Sequence, residues 1–183
     1  MKYIATKDEA ELFLKEAMKQ VNPNYSDGFE WQNNCQRCCS TYEAIRRGYD
    51  VISKPTDAKN SIELRNEKFV DYATNAFSLM FKDADIIKAK GFDKKEIKQA
   101  MKTWGDGARC EICIVWQDWN GHVFMAEQVE GKTIFLDPQS NEVYDESVFD
   151  QVKKGYTKYF RTDNLDFTDN IIDCCQNRKG GKK

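Results

Sequence analysis

One histidine and three prolines are scattered through 183 residues, and no apolar stretch approaches the width of a bilayer. The scarcity of histidine leaves His122 as the one side chain able to do imidazole chemistry. With few prolines, 40% apolar and 13% aromatic residues, the composition argues for a packed core and against disorder. A membrane span needs roughly 18 consecutive apolar residues, and none is found. The opening Met1-Lys-Tyr-Ile-Ala-Thr-Lys-Asp-Glu puts charge where a signal peptide carries its apolar core, so a soluble, unprocessed chain is expected. Charge of one sign is lacking too: 28 basic and 30 acidic residues are interspersed, and nothing predicts nucleic acid as a partner. Seven cysteines, an odd number with adjacent pairs at Cys38-Cys39 and Cys174-Cys175, do not resemble a secreted disulfide framework. A reducing, cytoplasmic setting is the expectation.

The length suits one domain, expected over residues 1–177 with 178–183 as a polar tail. Thr6 followed by Glu9 is a capping-box pair, and Leu12, Phe13, Ala17 and Val21 recur at helical spacing, which predicts a first helix from about Lys7 to Val21. Asn22-Pro23-Asn24 stops it and a loop runs to Asn34. A second helix is predicted from Cys35 to Arg47, with Asn34 as its cap and Gly48 just past its end. Cys35, Cys38, Tyr42 and Ile45 share one face of it. Tyr49 to Ile52 reads as extended. Phe69, Val70, Ala73, Phe77 and Met80-Phe81 predict a helix over Glu67 to Lys88, and another is expected over Asp93 to Met101. Strand-like patterns follow at Ala108 to Trp116, Val123 to Val129, Thr133 to Leu136 and Tyr156 to Arg161. Helices first and antiparallel strands afterwards define an α+β fold, with N-terminal helices packed on a C-terminal antiparallel sheet.

Glu130-Gly131 between two apolar, β-branched runs is a turn signal for a tight hairpin. With those two residues as the loop, Val129 faces Lys132, His122 falls opposite Gln139, and Asp137 is one diagonal step from His122. Residues two apart share a face, so His122, Asp137 and Gln139 project to the same side. Taken alone, a histidine near an acid is more often an ordinary surface residue.

Two Cys-x-x-Cys pairs, Cys35/Cys38 and Cys110/Cys113, raise the question of zinc. Cys110 and Cys113 lie three apart in a strand and so point to opposite faces, and no glycine or proline supplies a knuckle. No metal is expected, and Cys110, Cys113, Cys174 and Cys175 read as small buried residues. Cys35 differs. The macrodipole at a helix N-terminus favours a thiolate, and the order Cys, His, Asp is the layout of papain-like enzymes, with the nucleophile on an early helix and the base and its orienter on the later sheet. Cys38 stands as the alternative nucleophile, because Gln32 precedes it by the six residues that separate an oxyanion-hole glutamine from a papain-type cysteine.

Asn34-Cys35-Gln36-Arg37-Cys38, Tyr42-Glu43-Ala44, Arg46-Arg47-Gly48-Tyr49-Asp50-Val51, Gly121-His122-Val-Phe with Glu127, and Asp137-Pro138-Gln139 together resemble the papain-fold toxin family of glutamine deamidases. The likeness is expected to be greatest to versions attached to phage minor head proteins, which also resemble Trp104-Gly-Asp-Gly-Ala-Arg109 and Arg161-Thr-Asp-Asn-Leu165, and to run from Asn33 to Cys174. Cys39, Cys110 and Cys113 depart from the family pattern at positions the chemistry does not need. The resemblance implies a bacterial or phage-borne toxin or effector domain. It would act in its own or a target cell's reducing cytosol, as a cysteine-dependent protein-glutamine deamidase with the triad Cys35, His122 and Asp137. Gln32, Asn34 and Gln139 are the candidates for oxyanion and ring contacts. No cofactor is implied. The partners implied are a protein substrate bearing a target glutamine and a cognate immunity protein or phage structural protein, with no nucleic acid and no membrane. A papain-like protease, a transglutaminase, and a non-catalytic interaction domain of a phage head or mobile element are the alternatives.

Overall fold

The computed structural model describes residues 7–56 and 76–178. Helix α1 covers Lys7–Met18 and buries Ala10, Leu14 and Met18, spaced four apart. It ends one turn earlier than the apolar spacing predicts, although Val21 is buried beyond it. Thr6 of the expected capping box lies outside the described residues. The expected loop before Asn34 is instead folded into a 3-10 turn, Tyr25–Asp27, and a one-turn helix α2, Phe29–Gln32.

Helix α3, Cys35–Arg46, is the centre of the molecule. One apolar face is expected for it, yet every residue from Cys35 to Ala44 is buried. On one side it packs against the sheet. On the other it meets α1, strand β1 (Val51–Ser53) and the C-terminal pair α5 (Ile171–Cys174) and β8 (Cys175–Asn177). Strands β1 and β8 form a separate two-stranded sheet. Gly48, just past the helix, has φ 94°, which L side chains rarely adopt.

The predicted helix over Glu67 to Lys88 is corrected where it can be seen. From residue 76 the chain makes a 3-10 turn, Ala76–Ser78, a single bridge at Phe81, and a two-residue strand β2, Ile87–Lys88; the earlier part lies outside the described residues. Phe77 and Phe81 both pack edge-on against Phe160, with centroids 5.4 Å away in each case, so the apolar spacing there reflects ring packing on the sheet. Helix α4 covers Asp93–Trp104. The main sheet is antiparallel in the order β2-β7-β3-β4-β5-β6, with β3 Arg109–Val115, β4 Gly121–Val129, β5 Lys132–Asp137, β6 Glu142–Tyr144 and β7 Lys158–Arg161. The fold is α+β, with the N-terminal helices against one face of this sheet and α4 against the other. Cys110 and Cys113 sit on opposite faces, as strand alternation requires.

Glu111, on β3 opposite Met125 and Phe160, carries a carboxyl into the α3-side core with neither oxygen hydrogen-bonded among the described residues. Burial, then the Cys35 and Glu43 charges, push it well above the ordinary carboxylate range. Below about pH 4.3 folded and unfolded chains both hold this proton. As pH rises the unfolded chain releases it, the folded chain does not, and stability falls. Glu111→Met is expected to raise stability by about 1–3 kcal/mol near neutral pH, with the gain shrinking in acid. Thermal unfolding across that range checks it; a gain independent of pH would contradict the buried neutral acid.

Candidate active site

The hairpin positions two of the three groups. Val129 pairs with Lys132 and the register holds to Met125 opposite Leu136. Glu130 and Gly131 form the loop with φ of 48° and 71°, the left-handed pair that a tight hairpin of this twist requires. That odd-sum register puts His122 and Asp137 on one face, together with Phe124 and Phe135. His122 Nε2 lies 3.3 Å from Asp137 Oδ2. The imidazole is stacked with the Trp116 and Phe124 rings, at centroid distances of 5.9 and 6.2 Å, which hold its plane.

Helix α3 lies on the opposite face, and its first turn reaches the end of the sheet where β4 begins. There the Cys35 side chain comes within interacting range of the His122 imidazole. With Nε2 turned to Asp137, Nδ1 is the ring nitrogen left for the thiol. Burial alone would push the imidazole down; the hydrogen bonds with Asp137 and Cys35 and the charges of both outweigh it and push it up to about 10. Asp137 is held below the ordinary carboxylate range against its own burial, because His122, Tyr144 and Ser140 all hydrogen-bond to it. Gln139 N–H donates to Oδ1 at 3.0 Å, and Ser140 Oγ and the Tyr144 hydroxyl donate to Oδ2 at 2.9 and 2.7 Å.

The two candidate nucleophiles differ in surroundings. Cys35 retains 7% of its surface, whereas Cys38 has none. Cys38 donates to Asn34 Oδ1 at 3.3 Å, and burial pushes its thiol well up.

Asn34 occupies the N-cap position without capping the helix with its side chain. It is buried as a hub instead. Its Nδ2 donates to the Lys54 carbonyl at 3.1 Å, and its Oδ1 accepts from Asn22 Nδ2 and Gln139 Nε2, each at 3.3 Å. Asn22 Nδ2 also donates to the Gln139 carbonyl at 2.9 Å. This network ties the start of α3 to the turn that follows Asp137, so the spacing of Cys35 and Asp137 is set by buried amides. The Gln139 carboxamide reaches Asn34, and it is the Gln139 backbone N–H that reaches Asp137. Gln32, at the end of α2, is exposed.

A second buried network anchors the other half of α3. Glu43 receives Arg109 through Nε and Nη2 at 2.7 and 2.9 Å, Arg47 Nε at 2.7 Å and Thr162 Oγ1 at 3.0 Å. Glu127 on β4 receives the Tyr42 hydroxyl at 2.7 Å and Arg46 through Nε and Nη2 at 3.1 and 2.6 Å. Asp163 closes the set by accepting from the Arg109 backbone N–H at 2.8 Å and from Arg161. Tyr42, Glu43, Arg46, Arg47, Arg109, Glu127, Thr162 and Asp163 therefore belong to the frame that docks the Cys35 helix. Sequence reasoning noted them only as parts of a pattern.

A buried imidazole thus lies between a carboxylate and a helix-borne thiol on an α+β frame. The chain belongs to the papain-fold toxin 1, glutamine deamidase family, whose model matches residues 33–142. The matched segment includes Cys35, His122 and Asp137 and stops well short of the Cys174 limit expected from the sequence. No curated protein matches the chain. Among the described residues no helix is long and apolar enough to cross a membrane.

Proposed function

We propose that this domain is a protein-glutamine deamidase that works through the triad Cys35, His122 and Asp137. The observation that carries the proposal is the His122–Asp137 contact at 3.3 Å with the Cys35 side chain acting on the same imidazole, in a chain whose family is one of glutamine deamidases. His122 takes the thiol proton through the ring nitrogen not engaged by Asp137, and Asp137 keeps the other nitrogen protonated. The thiolate adds to the carboxamide carbon of a substrate glutamine. The oxyanion is met by the amide of Cys35 at the helix start, where no intrahelical carbonyl is available, and by the exposed Gln32 carboxamide. His122 then donates its proton to the nitrogen, the C–N bond breaks, and ammonia leaves. Water, deprotonated by His122, attacks the thioester carbonyl; the C–S bond breaks and glutamate is left, with one more negative charge on the target. Every step uses these side chains and water. The Asn34 amide is committed to Lys54, which argues for Asn34 as a positioning group.

The setting follows from the chemistry. The nucleophile must be a reduced thiol, and the cysteines within the described residues are free. We place the activity in a reducing cytosol, in a toxin or effector domain carried by a phage or mobile element. A glutamine-bearing protein is its substrate and an immunity protein or phage structural protein its binding partner. Residues 1–177 form the domain and 178–183 a tail. The test is incubation with glutamine-containing proteins, scoring ammonia release, conversion of glutamine to glutamate, and new amino termini. Ammonia without chain cleavage is the expected result. New amino termini would make it a protease, and incorporation of an added amine without glutamate would make it a transglutaminase.

A further inference from the structure

Tyr144 is two residues beyond the segment that the family model matches, and it takes no part in the proton transfers of the proposed reaction. It ends β6, where it pairs with Phe135, and so lies diagonally across from Asp137 on the face that carries His122 and Asp137. Its hydroxyl donates to Asp137 Oδ2 at 2.7 Å, the same oxygen that His122 Nε2 approaches at 3.3 Å, and it is itself 3.4 Å from Nε2. Phenol, carboxylate and imidazole form a closed ring of three contacts, two of them on Asp137 Oδ2, which also accepts from Ser140 Oγ. The Tyr144 ring packs edge-on against Phe124 at 5.5 Å, which fixes the hydroxyl without help from the triad.

We infer that Tyr144 is a positioning residue of the triad, whose hydroxyl shares the Asp137 Oδ2 charge with His122 and thereby sets how strongly that carboxylate holds the imidazole. A carboxylate that receives a phenolic hydrogen bond is easier to keep ionised, and presents a weaker field to the imidazolium beside it. The base is then held in the right tautomer without being made too basic to give its proton to departing ammonia. The other titratable groups near the phenol are Cys35 on α3 and Glu142, two residues back on its own strand. Both carry negative charge when ionised, so neither can replace the hydrogen bond that the phenol gives to Asp137.

The inference rests on the proposed deamidase triad, and its test separates the two. His122 is the single histidine of the chain, so one ring-labelled imidazole signal reports its titration by nuclear magnetic resonance without assignment and without turnover. Tyr144→Phe keeps the ring and its packing. It is expected to raise the His122 titration midpoint by about half a pH unit or more, and the same rise should be seen in a Cys35→Ala background. In ammonia release, Tyr144→Phe should lower kcat/KM by about threefold with KM little changed, and move the limb of the pH profile that follows His122 upward by the same half unit. Identical imidazole titrations in wild type and Tyr144→Phe would overturn the inference whether or not the protein releases ammonia. A loss of rate equal at every pH would also overturn it, since that is what a purely structural tyrosine gives. A moved midpoint in a protein that releases no ammonia would uphold the tyrosine contact and sink the deamidase.

Discussion

Cys35→Ala is expected to abolish ammonia release from glutamine substrates, by at least about 10⁴-fold, while Cys38→Ala retains most of it. The two thiols are separated by a single helical turn and differ in every property that matters. Cys35 lies within interacting range of His122 and keeps a sliver of exposed surface. Cys38 is sealed, donates a hydrogen bond to Asn34 Oδ1, and is held in the thiol form by burial. A substrate carboxamide that reached Cys38 would have to displace the buried hub of Asn22, Asn34 and Gln139. Cys38→Ala should therefore appear as a modest loss of stability, about 1 kcal/mol for one buried hydrogen bond, with kcat little changed. Both variants are to be compared by ammonia release at matched folded concentration, since each replaces a small side chain on the central helix. Loss of activity in Cys38→Ala with activity retained in Cys35→Ala would reverse the assignment.

The largest effect on stability is expected from Glu43→Ala. Glu43 is buried and accepts from Arg47, Arg109 and Thr162, drawing α3, β3 and the residue after β7 to one point. Removing the carboxylate leaves two guanidiniums together with no counter-charge at that point, and breaking such a buried pair costs about 3–5 kcal/mol. For a domain of this size that is a fall in Tm of about 6–20 °C. Activity should fall with it, because Glu43 and the Tyr42–Arg46–Glu127 set are what fix α3 against β4, and through it Cys35 against His122. Glu43→Gln keeps the packing and some hydrogen bonds and should lie between the two. Calorimetry or thermal unfolding reads the difference; a change in Tm of a degree or less for Glu43→Ala would show that the network is not what holds the helix.

The active hairpin was legible in the sequence because a single local signal governs it. Glu130-Gly131 sets a two-residue loop, the loop sets the register, and a period of two then decides that His122 and Asp137 share a face. The start of α3 at Cys35 and its end before Gly48 were legible for similar local reasons. Tyr144 was not, since β6 is three residues long and follows Asn141 at φ 61°, too short a strand to show alternation. The buried role of Glu43, Arg46 and Arg47 was hidden because charges on a helix ordinarily face water. Their partners Arg109, Glu127 and Thr162 are far away in the chain. Asn34 was read as a cap from its position, and the competition for its amide came from Asn22, Lys54 and Gln139, which only the fold assembles. That Cys35 and His122 come from opposite sides of the sheet and meet at its end is likewise a property of the packing.

The most direct test is to treat the reduced protein with a glutamine peptide whose carboxamide is replaced by a thiol-reactive chloroketone, and to map the adduct by mass spectrometry in wild type and His122→Ala. The account predicts a single adduct on Cys35 that forms far more slowly without His122. An adduct on Cys38 or Cys39, or equal labelling of Cys35 with and without His122, would contradict it.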